Sequence, residues 1–481
     1  MPYFSFGPLS NRPPEYRNQY TLVQNTDGCI RFADANRLTP VLPPELLSEI
    51  FVHCLPVDNK FRLPLKPNPT DAPLLLCAVC RLWRNTCLRT PRLWSSLFLE
   101  ANSAYSASGQ DYVEFCRRWI SRAGSTPVSI YLEAFVACDT IHSLLTLIGG
   151  LSQQWQNIDL VLGDDLPKSL SLPADGQFPF LEALSISPPL SELPISFCGA
   201  PKLRDVFIFQ YTPQIQLPWH QLKAFRTFDI TNFTFLEILC QTPNLVKGMF
   251  VITDYGLPPL PGTVVLVQAL QDLKLGRTRW DHAADPLRMA ILDCLTAPAL
   301  KSLVLSFTDG MGVIQDPSPF LSFVTRSSFQ LHTLALSLMP VTTNTLIQCL
   351  KATPSVVELK LEPRHFSVNI NTMLSQFTGH PDFLPKLESL FILLPKLGVA
   401  GVTTDGAAPT TGSIVVQMLR WRSSGVGSAR LKSFELIHAY PADVFQSYIT
   451  AHPDFRRLWM KGMTLCIEER SESWHEDSFM S

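Results

Sequence analysis

The sequence predicts an α/β chain: a short helical module near the N-terminal end, then a solenoid of helix-turn-strand repeats with a parallel sheet on one face. Three observations carry this. The pattern Leu-x-x-Leu-x-Leu, or an apolar substitute, recurs eight times between residues 181 and 436. Apolar runs at helical spacing precede several copies, each closed by a small or turn residue and a proline. Residues 42–99 instead hold apolar clusters divided by prolines, without strand alternation.

The helical module begins at Leu42-Pro43-Pro44-Glu45, where proline's fixed φ suits a first helical turn and its missing N–H is not needed. Leu46, Leu47, Ile50, Phe51, Cys54 and Leu55 follow at the spacing of an apolar helix face, and Pro56 ends the run. The spacing predicts a second helix over 74–88, with Leu75, Val79, Leu82 and Trp83 on one side and Arg81, Arg84 and Asn85 on the other. Pro91 breaks it, because the residue before a proline is pushed out of the α region, and Leu93-Trp94 adds another anchor. So small a unit buries little surface alone, so it should pack on its own chain, on a partner, or on both.

Downstream, Val113, Cys116, Trp119 and Ile120 mark a helix ending near Gly124, 127–134 alternates as a strand, 141–151 is helical and 155–162 is again a strand. The eight repeat triplets are Leu181-Leu184-Ile186, Leu203-Val206-Ile208, Leu270-Leu273-Leu275, Leu300-Leu303-Leu305, Leu331-Leu334-Leu336, Val356-Leu359-Leu361, Leu387-Leu390-Ile392 and Leu431-Phe434-Leu436. Weaker copies sit at Trp94-Leu97-Leu99, Trp155-Ile158-Leu160, Leu222-Phe225 and Leu245-Phe250. Ala200-Pro201, Thr242-Pro243, Ala297-Pro298 and Thr353-Pro354 supply the turns, behind helical runs such as 289–295 and 345–350. Two interruptions are expected as loops, 255–263 and the Gly-rich 396–413.

Composition narrows the function classes. The chain has 481 residues, formal net charge -2 and 17% charged residues, with no Lys/Arg stripe interleaved with aromatics, so a nucleic-acid footprint is not supported. No run approaches the ~18 apolar residues of a membrane helix, and no signal peptide is visible at the N-terminus. Twelve cysteines stand mostly singly in apolar segments and read as reduced core residues. Cys77 and Cys80 make a CxxC, a redox pair or half a zinc site by spacing, but no second Cys/His pair stands at ligand distance. Gly425-Val426-Gly427-Ser428 lacks the lysine of a phosphate loop, and Trp280-Asp281-His282-Ala283-Ala284-Asp285 reads as a solvated loop. No catalytic residue, metal site or cofactor is expected.

Leu42-Pro43-Pro44-Glu45-Leu46-Leu47, then Ile50-Phe51, Val79-Cys80-Arg81-x-Trp83-Arg84 and Pro91-x-x-Trp94, resemble the F-box, the helical module that docks onto the Skp-family linker of cullin-RING ubiquitin ligases. Residues 56–73 are longer and richer in proline than the connection in most F-boxes. The same residues also fit an amphipathic helix pair capping the array. The triplets resemble irregular leucine-rich repeats, without the Asn or Cys such repeats place three positions after the last strand leucine; Pro189, Tyr211, Thr278, Thr308, Met339, Arg364, Pro395 and Ala439 stand there. That combination is similar to the large F-box families of mushroom-forming fungi.

Composition without periodicity marks a leader over 1–36, poor in order, and a charged tail over 466–481; the resemblance implies an F-box over 37–100 and an irregular leucine-rich-repeat array over 101–465. It implies a non-catalytic, substrate-recruiting subunit of a Skp-cullin-F-box ubiquitin ligase, in the cytoplasm or nucleus, with a protein target on the repeat face. Leu42, Pro43, Leu46, Ile50, Phe51, Val79, Cys80, Trp83 and Trp94 would make or support the linker interface. An interaction scaffold that assembles with the linker without ubiquitylation is the alternative.

Overall fold

In the computed structural model, the residues described are 42–56, 65–100, 109–163, 166, 176–187, 195–253, 264–276, 286–307, 315–339, 341–362, 368–393, 407–425, 429–438, 452–460 and 462–469. The expected leader, the loop at 255–263 and the cluster at 280–285 lie outside them. The chain divides into two compact units, Met1–Leu181 and Glu182–Ser481. The boundary expected at residue 100 falls within the first.

In the first unit, helices α1 (Pro44–His53), α2 (Leu74–Val79) and α3 (Arg81–Leu88) precede strand β1 (Ser96–Glu100). The single helix expected over 74–88 is two. Cys80 is extended at φ -157 and breaks it, its sulfur serving as the cap that accepts the Trp83 N–H at 3.5 Å. Helix α4 (Gly109–Ser121), β2 (Val128–Ala134), α5 (Asp139–Gly149) and β3 (Trp155–Leu162) follow. The three strands are parallel in sequence order, with Leu97, Ile130 and Ile158 in one cross-strand row and Leu99, Leu132 and Leu160 in the next. Trp94 ties the helical module to the segment beyond residue 100: its ring meets Trp119 edge-on at 4.9 Å, and its Nε1 donates to the Cys87 carbonyl at 2.9 Å.

The second unit carries β4 (Ala183–Ser187), β5 (Asp205–Gln210), β6 (Ala224–Ile230), β7 (Lys247–Ile252), β8 (Asp272–Gly276), β9 (Ser302–Ser306), β10 (Thr333–Ser337), β11 (Glu358–Glu362), β12 (Ser389–Leu393), β13 (Ser433–His438) and β14 (Thr464–Glu469). They form a parallel sheet in this order. Each of the eight triplets supplies one strand, and the weaker copies at 222 and 245 supply β6 and β7. Leu273, Leu303, Leu334, Leu359, Leu390, Phe434 and Leu465 stand in one row across the sheet, and Leu275, Leu305, Leu336, Leu361, Ile392, Leu436 and Ile467 in another. Strand side chains alternate between faces, so both rows point one way and make the core.

Between the strands run α6 (Asn232–Gln241), α7 (Ser318–Ser327), α8 (Thr343–Lys351), α9 (Ile370–Ser375), α10 (Ala407–Ser424) and α11 (Pro453–Met460). The run expected as α-helix at 289–295 is instead a 3-10 helix, Pro286–Cys294, after which Leu295–Thr296 pairs with Val265–Leu266. The expected loop at 396–413 is shorter than its composition suggests, because α10 already begins at Ala407. The expected tail at 466–481 overlaps β14, whose Leu465 and Ile467 alternate inward while Cys466 and Glu468 lie in the opposite register.

At the turns leading into the strands, the backbone itself links each unit to the next. The carbonyl just before each strand accepts two N–H groups from the next unit: that of Lys301 takes His332 at 2.7 Å and Thr333 at 3.0 Å, and that of His332 takes Val357 at 2.9 Å and Glu358 at 3.0 Å. The same doubled bond recurs at Glu182, Arg204, Lys223, Val246, Gln271, Val357 and Glu388. These bonds satisfy backbone groups at the start of each strand, the end opposite to the positions where leucine-rich repeats place Asn.

Opposite the core rows, Val304, Ala335, Leu393 and Ile437 form a further buried cluster against which Phe391 packs. The cluster closes part of the outward face on β9, β10, β12 and β13, while Lys360 on β11 keeps its side chain 43% exposed. Strands buried on both sides read as near-continuous apolar runs, as Ser389–Leu393 does.

Candidate functional site

The helical module contains every residue expected at an interface, and the structure sorts them by exposure. Helix α1 is apolar on two adjacent stripes. Leu47 and Phe51 are buried, Phe51 meeting the half-buried Trp83 at 4.9 Å. The neighbouring stripe faces water: Leu42 is 39% exposed, Leu46 54% and Ile50 45%, with Pro43 exposed at the helix start. On α2, Val79 is 55% exposed. Leu46, Ile50 and Val79, on two short helices, all face water, more apolar exposure than singly standing leucines give.

Leu46, Ile50 and Val79 are thus available for contact, with Leu42 and Pro43 at the edge. Phe51 and Trp94, each 1% exposed, are not available and act from behind by fixing α1 and the Pro91–Leu93 turn. Cys80 is exposed and caps α3. Two residues were absent from the expected set. Leu75 at 46% and Leu82 at 49% present further apolar surface. Both stood on the apolar side of the second helix in the sequence, and that position was the only signal available for them.

The module's polar contacts hold geometry. Arg84 Nε donates to the Cys77 carbonyl at 2.9 Å, tying α3 to α2. Arg92 pairs with Glu49 at 2.6 Å across the Pro91–Leu93 turn and α1. Both partners are more than half exposed, so the pair contributes at most about 1 kcal/mol. Cys77 is linked to Cys87 and not to Cys80. The Cys87 thiol donates to it, which holds the Cys77 pKa below that of an ordinary thiol, while the same bond and burial push Cys87 up. This removes the CxxC reading: one cysteine is a cap and the other is core. Among the described residues, no group of three His, Cys, Asp or Glu could hold a metal ion. No described helix is long and apolar enough to cross a membrane.

The module therefore presents exposed apolar side chains to water. Comparison with known proteins adds no name: no family model matches the chain, and no curated protein matches it.

Proposed function

We propose that this chain is a substrate-recruiting subunit of a Skp-cullin-F-box ubiquitin ligase, its helical module docking the linker protein and its repeat unit holding the target. The observation that carries the reading is the water-facing stripe Leu46 and Ile50 on α1, with Leu42 just before the helix, beside a buried stripe Leu47 and Phe51 on the same helix. A helix that has already buried one apolar face gains nothing intramolecular from the second. Fully burying an exposed aliphatic side chain is worth about 1.5–3 kcal/mol, and since Leu42, Leu46, Ile50 and Val79 are about half exposed, docking them on a partner supplies about half of that for each. The family resemblance of Leu-Pro-Pro-Glu-Leu-Leu, Val79-Cys80-Arg81-x-Trp83-Arg84 and Pro91-x-x-Trp94 supports the identity of that partner.

Ile50→Ala tests the docking surface. Ile50 is 45% exposed, so its truncation should change stability by less than about 0.5 kcal/mol. At an interface centre the same truncation costs about 2 kcal/mol, a loss of about thirtyfold in linker affinity. Unchanged affinity in a folded Ile50→Ala chain refutes the interface. The stronger variant combines Leu46→Asp with Ile50→Asp, which places charge on the docking stripe without burying it. That protein should retain its target in cells, fail to recruit linker and cullin, and let the target accumulate. If it still drives linker-dependent ubiquitylation, the adaptor reading fails.

A further inference from the structure

The buried outward cluster of β9–β13 gives way, over β5–β8, to a surface of different chemistry. The outward positions run Phe207, Arg226, Met249 and Lys274 across four neighbouring strands, with Asp205, Ala224, Lys247 and Asp272 in the adjoining row. Strands lie about 4.8 Å apart, so Arg226 and Lys274 stand about 10 Å apart with only Met249 between them. The register shifts between Ile208 and Gln210, leaving Phe209 outside the ladder and 44% exposed.

That bulge is fastened. Asp229 sits at φ +61, a conformation non-glycine residues rarely adopt, with one carboxylate oxygen accepting Gln210 Nε2 at 3.1 Å and the other accepting the Thr253 hydroxyl at 2.6 Å. Bulges re-aim side chains, and here Phe209 and Phe207 both meet Phe228 at 5.5 Å between ring centroids. Strained backbone held by side-chain bonds around a solvent-facing aromatic cluster is costly unless the cluster is used.

We propose that the outward face of β5–β8 docks an acidic polypeptide segment, seating an apolar side chain on Phe207, Phe209 and Phe228 and its carboxylates on Arg226, Lys247 and Lys274. Arg226 lies 5.4 Å over the Phe207 ring and bonds Asp205 at 3.2 Å, and Lys247 stands 4.0 Å from Asp272. Lys274 is half-buried, and its pKa is lowered by burial, then by the cations Lys360, Arg226 and Lys247, against which Asp272 is the opposing acid. An arriving carboxylate relieves that repulsion. A nucleic acid fits less well, because Asp205 and Asp272 interrupt the cations and leave no unbroken track for a continuous phosphate backbone, whereas a peptide can place separate carboxylates against Arg226 and Lys274 alone. The inference rests on the target-binding half of the function proposed above and supplies the chemistry of the target.

The test selects peptides from a library randomised among Asp, Glu, Lys, Gln, Phe, Leu and Ser on the full-length chain, beside the double variant Arg226→Glu with Lys274→Glu. The parent should enrich Asp and Glu next to Phe or Leu. Fluorescence anisotropy on an enriched peptide should show binding that weakens with salt, falls at least about tenfold in the double variant, where attraction becomes like-charge repulsion, and falls several-fold in Phe209→Ala. Should the double variant unfold, Lys247→Glu, 69% exposed, serves in its place. Leu46→Asp with Ile50→Asp should bind the peptide like the parent, so a failure of the docking reading is seen separately. Selection of basic or uncharged peptides, equal binding by the charge-reversed chain, or equal binding of a single-stranded oligonucleotide overturns the proposal.

Discussion

Arg422 offers the sharpest test of how the repeats are held. It lies in α10 and is 1% exposed, yet no carboxylate is among its hydrogen-bond partners. Its guanidinium donates to three main-chain carbonyls after α9: Phe377 at 3.1 Å, Leu384 at 3.1 Å, and Phe383. Arg422→Met keeps the stem and removes the donors. Each buried carbonyl left unsatisfied costs about 1–3 kcal/mol, and the desolvation of the charge, which the variant no longer bears, offsets part of the sum. The net loss should be about 3–5 kcal/mol, a large fraction of the 5–15 kcal/mol typical of a domain. Burial lowers the Arg422 pKa from 12.5 to about 10. The unfolded chain therefore binds more protons than the folded one only between those values, where this residue's contribution rises with pH; below about 9 it is flat. Urea unfolding of parent and variant, read together with hydrogen exchange at the amides of α9 and β12, measures the loss. The matching residue Arg326 is less buried and donates to Leu292 at 2.8 Å and Leu295 at 3.0 Å, so its Met variant should lose less. A change below about 0.5 kcal/mol for Arg422→Met, or a larger one for Arg326→Met, refutes the reasoning.

Alkylation should sort the cysteines by burial. Cys116 and Cys349, whose thiols burial pushes up to about 12, should stay unmodified in the folded protein at pH 8, while exposed Cys54, Cys138, Cys198 and Cys240 react, as peptide mass spectrometry will read. Leu303→Ala, at a fully buried position between Leu273 and Leu334, should cost about 2–5 kcal/mol in urea unfolding, whereas Leu266→Ala, 53% exposed, should cost little.

The strands were legible because each leucine triplet writes a period of two onto a fixed offset from a turn. Leu181 to Leu436 all land on the core face where the pattern puts them. What the sequence hid has physical causes. The break at Cys80 lies in an apolar run with no glycine or proline, where a thiol accepting one N–H suffices to restart a helix. The 3-10 winding of Pro286–Cys294 shows no separate signal, since an apolar run serves either winding. The missing Asn ladder was legible as an absence, but the closure at the strand starts was not: doubled bonds to the Lys301 and His332 carbonyls use the main chain alone and leave no residue preference to read. Because those bonds do not depend on side chains, repeat lengths are free to differ, and the triplet spacing of 25 residues from 331 to 356 and 31 from 356 to 387 carries the same closure.

At the candidate site, the same logic decides what could not be read. Leu46 and Ile50 are four residues apart, and so are Leu47 and Phe51; both pairs make a helical stripe, and nothing in their spacing says which one the protein keeps for itself. The answer lies in residues more than thirty positions away. Trp83 meets Phe51, and Trp94 stands beneath the turn that Arg92 ties to Glu49, so the Leu47 and Phe51 stripe is claimed by the chain and the other is left to water. A charge should therefore be tolerated at Leu46 and not at Leu47: Leu46→Asp leaves its carboxylate solvated, whereas Leu47→Asp buries one at a position 6% exposed, at a cost of several kcal/mol. Equal melting temperatures for the two variants would mean that α1 does not pack on its Phe51 side, and the water-facing stripe from which the docking function is argued would lose its physical basis.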